Sequence, residues 1–145
     1  MRRTRPLTKK TQTSSPKGDG STRLVDIVDD DGSVRKALGR LLHSVGIRSA
    51  GYASAILYLE SADPALADCV LLDLHLPGMS GIELLEHLRE AAPDLPVICM
   101  TGRDDPEMEQ RLAAAGGAPC LRKPFDQADL FMAFSKLMGD SWEEL

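Results

Sequence analysis

Cys69-Val70-Leu71-Leu72-Asp73-Leu74-His75-Leu76-Pro77-Gly78-Met79 is the stretch that decides the fold. A short apolar run, bounded by Asp68 and by Pro77-Gly78, has the length and unbroken hydrophobicity of a strand covered on both faces. Its last core-facing position is a carboxylate. Burying Asp73 among such neighbours is costly without compensation, so its place at the strand end, just before a turn, reads as chosen for exposure and chemistry.

Outward from this strand the pattern is regular. Leu24-Val25-Asp26-Ile27-Val28 reads as a first strand, with Asp26 marking a less covered face, and it runs into Asp29-Asp30-Asp31-Gly32-Ser33. Val34, Leu38, Leu41, Leu42 and Val45 then recur at helical spacing, with Ser33 as the expected N-cap and Gly46 as the stop. Ile47 to Ala50 reads as a short strand and Ser54 to Glu60 as a second helix. After the central strand, a third helix follows Ser80 with Ile82, Leu84, Leu85 and Leu88 inward and Pro93 beyond its end. A strand from Pro96 ends at Thr101, a helix covers about Pro106 to Ala115, a brief strand from Pro119 ends at Lys123-Pro124, and a last helix spans Gln127 to Met138.

Strand and helix thus alternate five times. Such alternation requires parallel strands joined by right-handed crossovers, with helices on both faces. The expected architecture is α/β, a doubly wound five-stranded parallel sheet flanked by five helices. Ligands in such folds bind beyond the carboxyl ends of the strands.

Composition narrows the classes. The chain has 145 residues, enough for one domain with a real core. Residues 1–20 carry Arg2, Arg3, Arg5, Lys9, Lys10 and Lys17 against Asp19, and the remainder holds 11 basic and 21 acidic residues. An acidic body does not suit nucleic acid, so no direct DNA binding is expected. Residues 1–22 have little to bury and read as a disordered basic extension, 23–139 as the domain and 140–145 as a short tail. Cys69, Cys99 and Cys120 show no metal-ligand spacing and read as buried, reduced thiols of a cytoplasmic protein. No stretch approaches the roughly 20 apolar residues of a membrane span.

The polar residues then fall on one edge. The first strand ends in Asp29 and Asp30, the central strand in Asp73, the fourth in Thr101 and the fifth in Lys123. Carboxylates this close repel one another unless a cation offsets them, and Mg2+ suits such oxygen ligands. Asp73 is the carboxylate placed to attack phosphorus and become an acyl phosphate. Lys123 is the point charge that pairs with Asp73 and then with a phosphoryl oxygen, Thr101 supplies a hydroxyl donor, and Gly102 leaves room. Phosphoryl transfer depends mostly on positioning and charge neutralisation, so few residues suffice.

At these residues the chain resembles the receiver domain of two-component response regulators, of the chemotaxis and nitrogen-fixation-regulator type. The matching pieces are Val28-Asp29-Asp30-Asp31, Leu71 to Gly81, Met100-Thr101-Gly102 and Arg122-Lys123-Pro124-Phe125, in order at the strand ends. The resemblance implies a flavodoxin-like fold, Asp73 as phosphoacceptor, and Mg2+ held directly by Asp30 and Asp73, through water by Asp29, and by the His75 backbone carbonyl. It implies a phosphohistidine donor on a sensor histidine kinase or histidine phosphotransfer protein. The chain itself then catalyses phosphorylation and dephosphorylation of its own aspartate without being a conventional enzyme.

The resemblance also gives a cis Lys123-Pro124 bond, a downstream protein met through the fourth helix, fifth strand and fifth helix, and a homodimer as one outcome of phosphorylation. His75 and Arg103 stand two residues after the phosphoacceptor and the Thr, positions that flank the attacking water, and are expected to modulate phosphate lifetime. Cys120 departs from the family's pattern, which has Tyr or Phe three residues before the Lys. A thiol is too small to report a ring rotation, so the signal is expected to travel through backbone shifts near residues 102–110. The few residues after the last helix suit a stand-alone receiver or a fragment of something longer. A phosphorylation-independent interaction module and a phosphate sink are the alternative functions. An aspartate-nucleophile phosphatase of another fold is disfavoured, because such enzymes carry a second Asp where this chain has His75.

Overall fold

A computed structural model of the chain describes residues 23–139. The expectations for 1–22 and 140–145 lie outside the described residues. Strand β1 is Leu24–Val28, β2 Arg48–Tyr52, β3 Cys69–Asp73, β4 Val97–Thr101 and β5 Cys120–Arg122. They form one parallel sheet in the order β2-β1-β3-β4-β5. The order reverses at β1, so the carboxyl ends of β1 and β3 lie side by side at the switch point.

Helices α1 (Gly32–Ser44), α2 (Ala55–Ser61), α3 (Gly81–Ala91), α4 (Pro106–Ala114) and α5 (Gln127–Met138) alternate with the strands. Leu38 and Leu42 of α1 meet Leu130 and Phe134 of α5 over Val25, Ile27 and Leu71 on one face of the sheet. Tyr58 of α2 and Ile82, Leu84, Leu85 and Leu88 of α3 pack over Val70, Leu72 and Val97 on the other. The two-sided burial of β3 is what its unbroken apolar run demands, and all five of its residues are buried. Helix α4 differs from its neighbours in having no buried residue; Met108, Leu112 and Ala115 at its C-cap lie only partly covered against the core.

Local signals set most boundaries. Ser80 caps α3 with a full capping box, its hydroxyl on the Glu83 amide and the Glu83 carboxylate on its own amide. Asp126 and Asp129 do the same for α5. The α1 cap is Asp31 rather than Ser33: its carboxylate takes both the amide and the hydroxyl of Ser33, so Ser33 serves as a donor inside the first turn. Strand β2 lies later than Ile47–Ala50, because Ile47 is a buried lead-in while the strand, Arg-Ser-Ala-Gly-Tyr, is an edge with no apolar run. A short 3-10 turn at Pro64–Leu66, capped by Asp63, adds an element with no periodicity to announce it.

Two polar expectations are corrected here. Asp26 marks no open face: it is 2% exposed and accepts a hydrogen bond from the Tyr58 hydroxyl at 3.0 Å. Cys69 and Cys99 are buried as expected, but Cys120 is exposed, because it lies on the short edge strand β5. The Lys123-Pro124 peptide is cis.

Candidate functional site

Side-by-side strand ends bring Asp29, Asp30 and Asp73 together, with one carboxylate oxygen of each within 4.8 Å of the others. Their surroundings differ. Asp29 is fully buried, Asp73 is 5% exposed and Asp30 faces solvent. The exposure expected for Asp73 is thus not what the fold provides; the strand end buries it and compensates it instead.

Compensation comes from Lys123. The ammonium lies 2.7 Å from Asp29 Oδ2 and 3.2 Å from Asp73 Oδ2, bridging two carboxylates that are far from it in sequence. The shorter contact is to Asp29, so the pairing expected with Asp73 is shared. Burial by itself pulls the lysine pKa down, but the hydrogen bond to Asp29 and the charges of Asp73 and Asp29 outweigh it, and the net shift is upward. The backbone of Lys123 is set by β5, where its amide donates to the Thr101 carbonyl at 2.7 Å.

Backbone amides occupy the other oxygens. Asp29 Oδ1 accepts from the Asp31 amide and Asp73 Oδ1 from the His75 amide, each at 2.9 Å. Arg35 of α1 donates to the Asp29 carbonyl at 2.7 Å and holds the acidic loop against the helix. Among the described residues no donor bonds the Asp30 carboxylate, which leaves it the freest ligand of the three. Such a set of hard oxygen donors fits Mg2+, which prefers one or two carboxylates with water and phosphate.

Thr101 and His75 complete the rim. Thr101 Oγ1 donates to the Arg103 carbonyl at 2.9 Å and stands 3.3 Å from His75 Nδ1. His75 Nε2 lies 3.4 Å from Asp105 Oδ2. Asp105 also caps α4 through the Met108 amide; that bond first, and the contact with His75 after it, hold its carboxyl below the usual range. An open cleft of about 400 Å³ runs beside the carboxylates, lined among others by Asp30, His75, Arg103, Asp105 and Met108. Gly102 meets open space: a β-carbon there would touch nothing within 4 Å, so the room is present whatever residue stands there.

Asp105 had no role in the sequence reading, and Gly81 entered it only as the end of a matching piece. Asp105 was legible as a helix cap, from Asp-Pro before a helical pattern, but nothing in sequence joins it to His75. Gly81 donates its amide to the Leu74 carbonyl at 3.2 Å and brings the start of α3 onto the end of β3. Cys120 and its neighbours on β5 reach none of the three carboxylates in any hydrogen bond of the described residues.

The sequence profile of the response regulator receiver domain matches residues 25–135. The chain belongs to that family. As a receiver it is 36% identical over 120 residues to the transcriptional regulatory protein FixJ of Azorhizobium caulinodans, covering 83% of this chain and 57% of that protein. It is 35% identical over 116 residues to nodulation protein W of Bradyrhizobium diazoefficiens, covering 79% of this chain and 51% of that one. The receiver therefore spans about half the length of these curated relatives. Among solved structures it resembles a CheY-like receiver domain protein from Methanospirillum hungatei, with TM-score 0.75 and 27% identity over 86% of this chain and 96% of that one. The chemotaxis protein CheY4 of Vibrio cholerae gives TM-score 0.73 and 26% identity over 80% of this chain and 98% of that one. The receiver is a component of two-component signalling with the flavodoxin-like architecture. Among its described residues no helix is long and apolar enough to cross a membrane.

Proposed function

We propose that residues 23–139 form a phosphorylation switch in a two-component phosphorelay in the cytoplasm. A phosphohistidine on a sensor kinase or phosphotransfer protein supplies the phosphoryl group. A carboxylate oxygen of Asp73 attacks phosphorus, the phosphorus–nitrogen bond breaks, and its electron pair stays with the donor imidazole. Hydrolysis reverses the state: water attacks phosphorus, inorganic phosphate leaves and the Asp73 carboxylate is restored. Asp30, Asp73 and the His75 carbonyl, with Asp29 through water, would hold a Mg2+ ion, which would supply charge neutralisation for the transferring group.

The observation that carries this reading is the Lys123 ammonium bridging Asp29 and Asp73 with Asp30 beside them. The ammonium is released from Asp73 when a phosphoryl oxygen offers it a stronger partner. His75 and Arg103 line the cleft beside the carboxylates, and that cleft is the path this reading gives to the attacking water. Truncating both to Ala opens that path and shortens the phosphoaspartate lifetime; an unchanged lifetime refutes their role. The phosphorylated chain then changes its affinity for a partner protein at the α4-β5-α5 face.

Intact mass after incubation with acetyl phosphate and Mg2+ tests the switch. The native chain gains one phosphoryl group and Asp73→Asn gains none. Equal gain in both, or none in either, overturns the reading, and unaltered partner binding by Asp73→Asn would make the chain a phosphorylation-independent module.

A further inference from the structure

Thr101 Oγ1 has one proton to give and two acceptors facing it. The Arg103 carbonyl lies at 2.9 Å and His75 Nδ1 at 3.3 Å. The far nitrogen of the ring, Nε2, faces Asp105 Oδ2 at 3.4 Å. A carboxylate only accepts, so its position assigns the hydrogen to Nε2, and in the neutral ring Nδ1 is then an acceptor. Both neighbours of Thr101 therefore compete for the same proton.

The other end of this row reaches a helix. Asp105 Oδ1 accepts from the Met108 amide at 3.1 Å and its carbonyl from the Glu109 amide at 2.9 Å, the first hydrogen bonds of α4. Because α4 buries no residue, its first turn leans on that cap more than the starts of α3 or α5, which have full capping boxes. Side chains alone thus lead from the end of β4 to the start of α4, through Thr101, His75 and Asp105.

We propose that Asp105 is a positioning residue that holds the His75 ring toward Thr101, so that the row Thr101–His75–Asp105 is this chain's own tie between the site and the first turn of α4. A phosphoryl oxygen on Asp73 takes the Thr101 hydroxyl as its donor, the role already given to that residue, and withdraws the proton from whichever of the Arg103 carbonyl and His75 Nδ1 holds it. The start of α4 is then released. Only hydrogen bonds change partners; no proton changes owner. The inference rests on the phosphorylation of Asp73 proposed above, and it supplies a route that does not need an aromatic ring at Cys120.

Amide exchange of the full chain, read by NMR at Met108 and Glu109, tests the tie. In the unphosphorylated protein Thr101→Ala and His75→Ala each raise exchange at these amides about tenfold, the worth of one ordinary hydrogen bond, while Glu83 and Leu84 of α3 stay unchanged. Unchanged Met108 and Glu109 amides overturn it. Asp105→Asn keeps an equally good cap but turns a donor toward Nε2, so the ring nitrogen shifts of His75 move from the Nε2–H to the Nδ1–H tautomer. The same tautomer in both proteins overturns the positioning role. Phosphorylation of the native chain, verified by mass, gives the tenfold rise, and His75→Ala shows no further rise on phosphorylation. A mass gain without the rise sinks the tie and leaves the switch standing. Absence of a mass gain sinks the switch, and the unphosphorylated variants still decide the tie.

Discussion

A β-carbon on Gly81 would stand 2.1 Å from the carbonyl oxygen of Asp73, and 2.7 Å from the Leu74 α-carbon. Both obstacles are backbone, so no side-chain rotation relieves the clash. Gly81→Ala must push the start of α3 away from the end of β3, costing more than the 1–3 kcal/mol typical of an overpacked core, that is about 3 kcal/mol or above. Denaturant unfolding measures the loss. The displaced Asp73 also accepts less phosphoryl group from acetyl phosphate, read by intact mass.

Lys123 offsets two buried carboxylates, and its removal leaves both uncompensated. Lys123→Met loses about 3–5 kcal/mol of unfolding free energy at neutral pH, because breaking a buried pair strands a charge. The pH dependence has a definite sign. The folded pKa lies above the ordinary 10.5 of lysine, so the ammonium's contribution is complete below 10.5 and is lost as pH rises through the folded value. The gap between native and variant therefore closes in strongly alkaline solution, in urea titrations repeated across that range.

Asp26 works in the opposite sense to a paired carboxylate. Burial first, opposed by the Tyr58 hydrogen bond and reinforced by Asp63, raises its pKa above the ordinary 3.8. A raised folded pKa means stability that is complete below 3.8 and lost as pH climbs through the folded value. Asp26→Asn cannot ionise and still accepts from Tyr58, so it is more stable than the native chain at pH 7. Thermal unfolding at pH 3 and pH 7 should show the gain at the higher pH only.

Thiol chemistry separates the three cysteines. Burial pushes the Cys69 thiol far up and Cys99 up to about 12, whereas Cys120 is exposed. Iodoacetamide on the native chain adds one adduct, at Cys120, and peptide mapping locates it. The reaction is slow, because partial desolvation and then Glu109 raise that thiol as well. Three adducts within the same time would contradict the burial of Cys69 and Cys99.

Sheet and helices were legible because burial writes a period into sequence. The run through Cys69–Asp73 and the spacing Ile82, Leu84, Leu85, Leu88 state their faces directly. Edge strand β2 was harder to place, since Arg48, Ser49 and Gly51 are exposed and only Ile47 ahead of them carries the apolar signal. Site membership was readable from the residues that end each strand. Burial of Asp73 was not, because it depends on Lys123, 50 residues onward, arriving by way of β5. Asp26 misled for the same reason: its partner Tyr58 lies 32 residues away on α2, and an isolated carboxylate in an apolar run looks like an opening until the hydroxyl is found. The contact of His75 with Asp105 is a matter of rotamers across a cleft, which no spacing records.

Helix α4 buries none of its residues, while α3 behind the same strand ends buries five. Mechanically, the molecule pairs a stiff frame with one compliant strut, and the strut begins beside the charged rim. Force applied there by a change in charge meets little resistance from the interior, so it can be converted to displacement without softening the sheet.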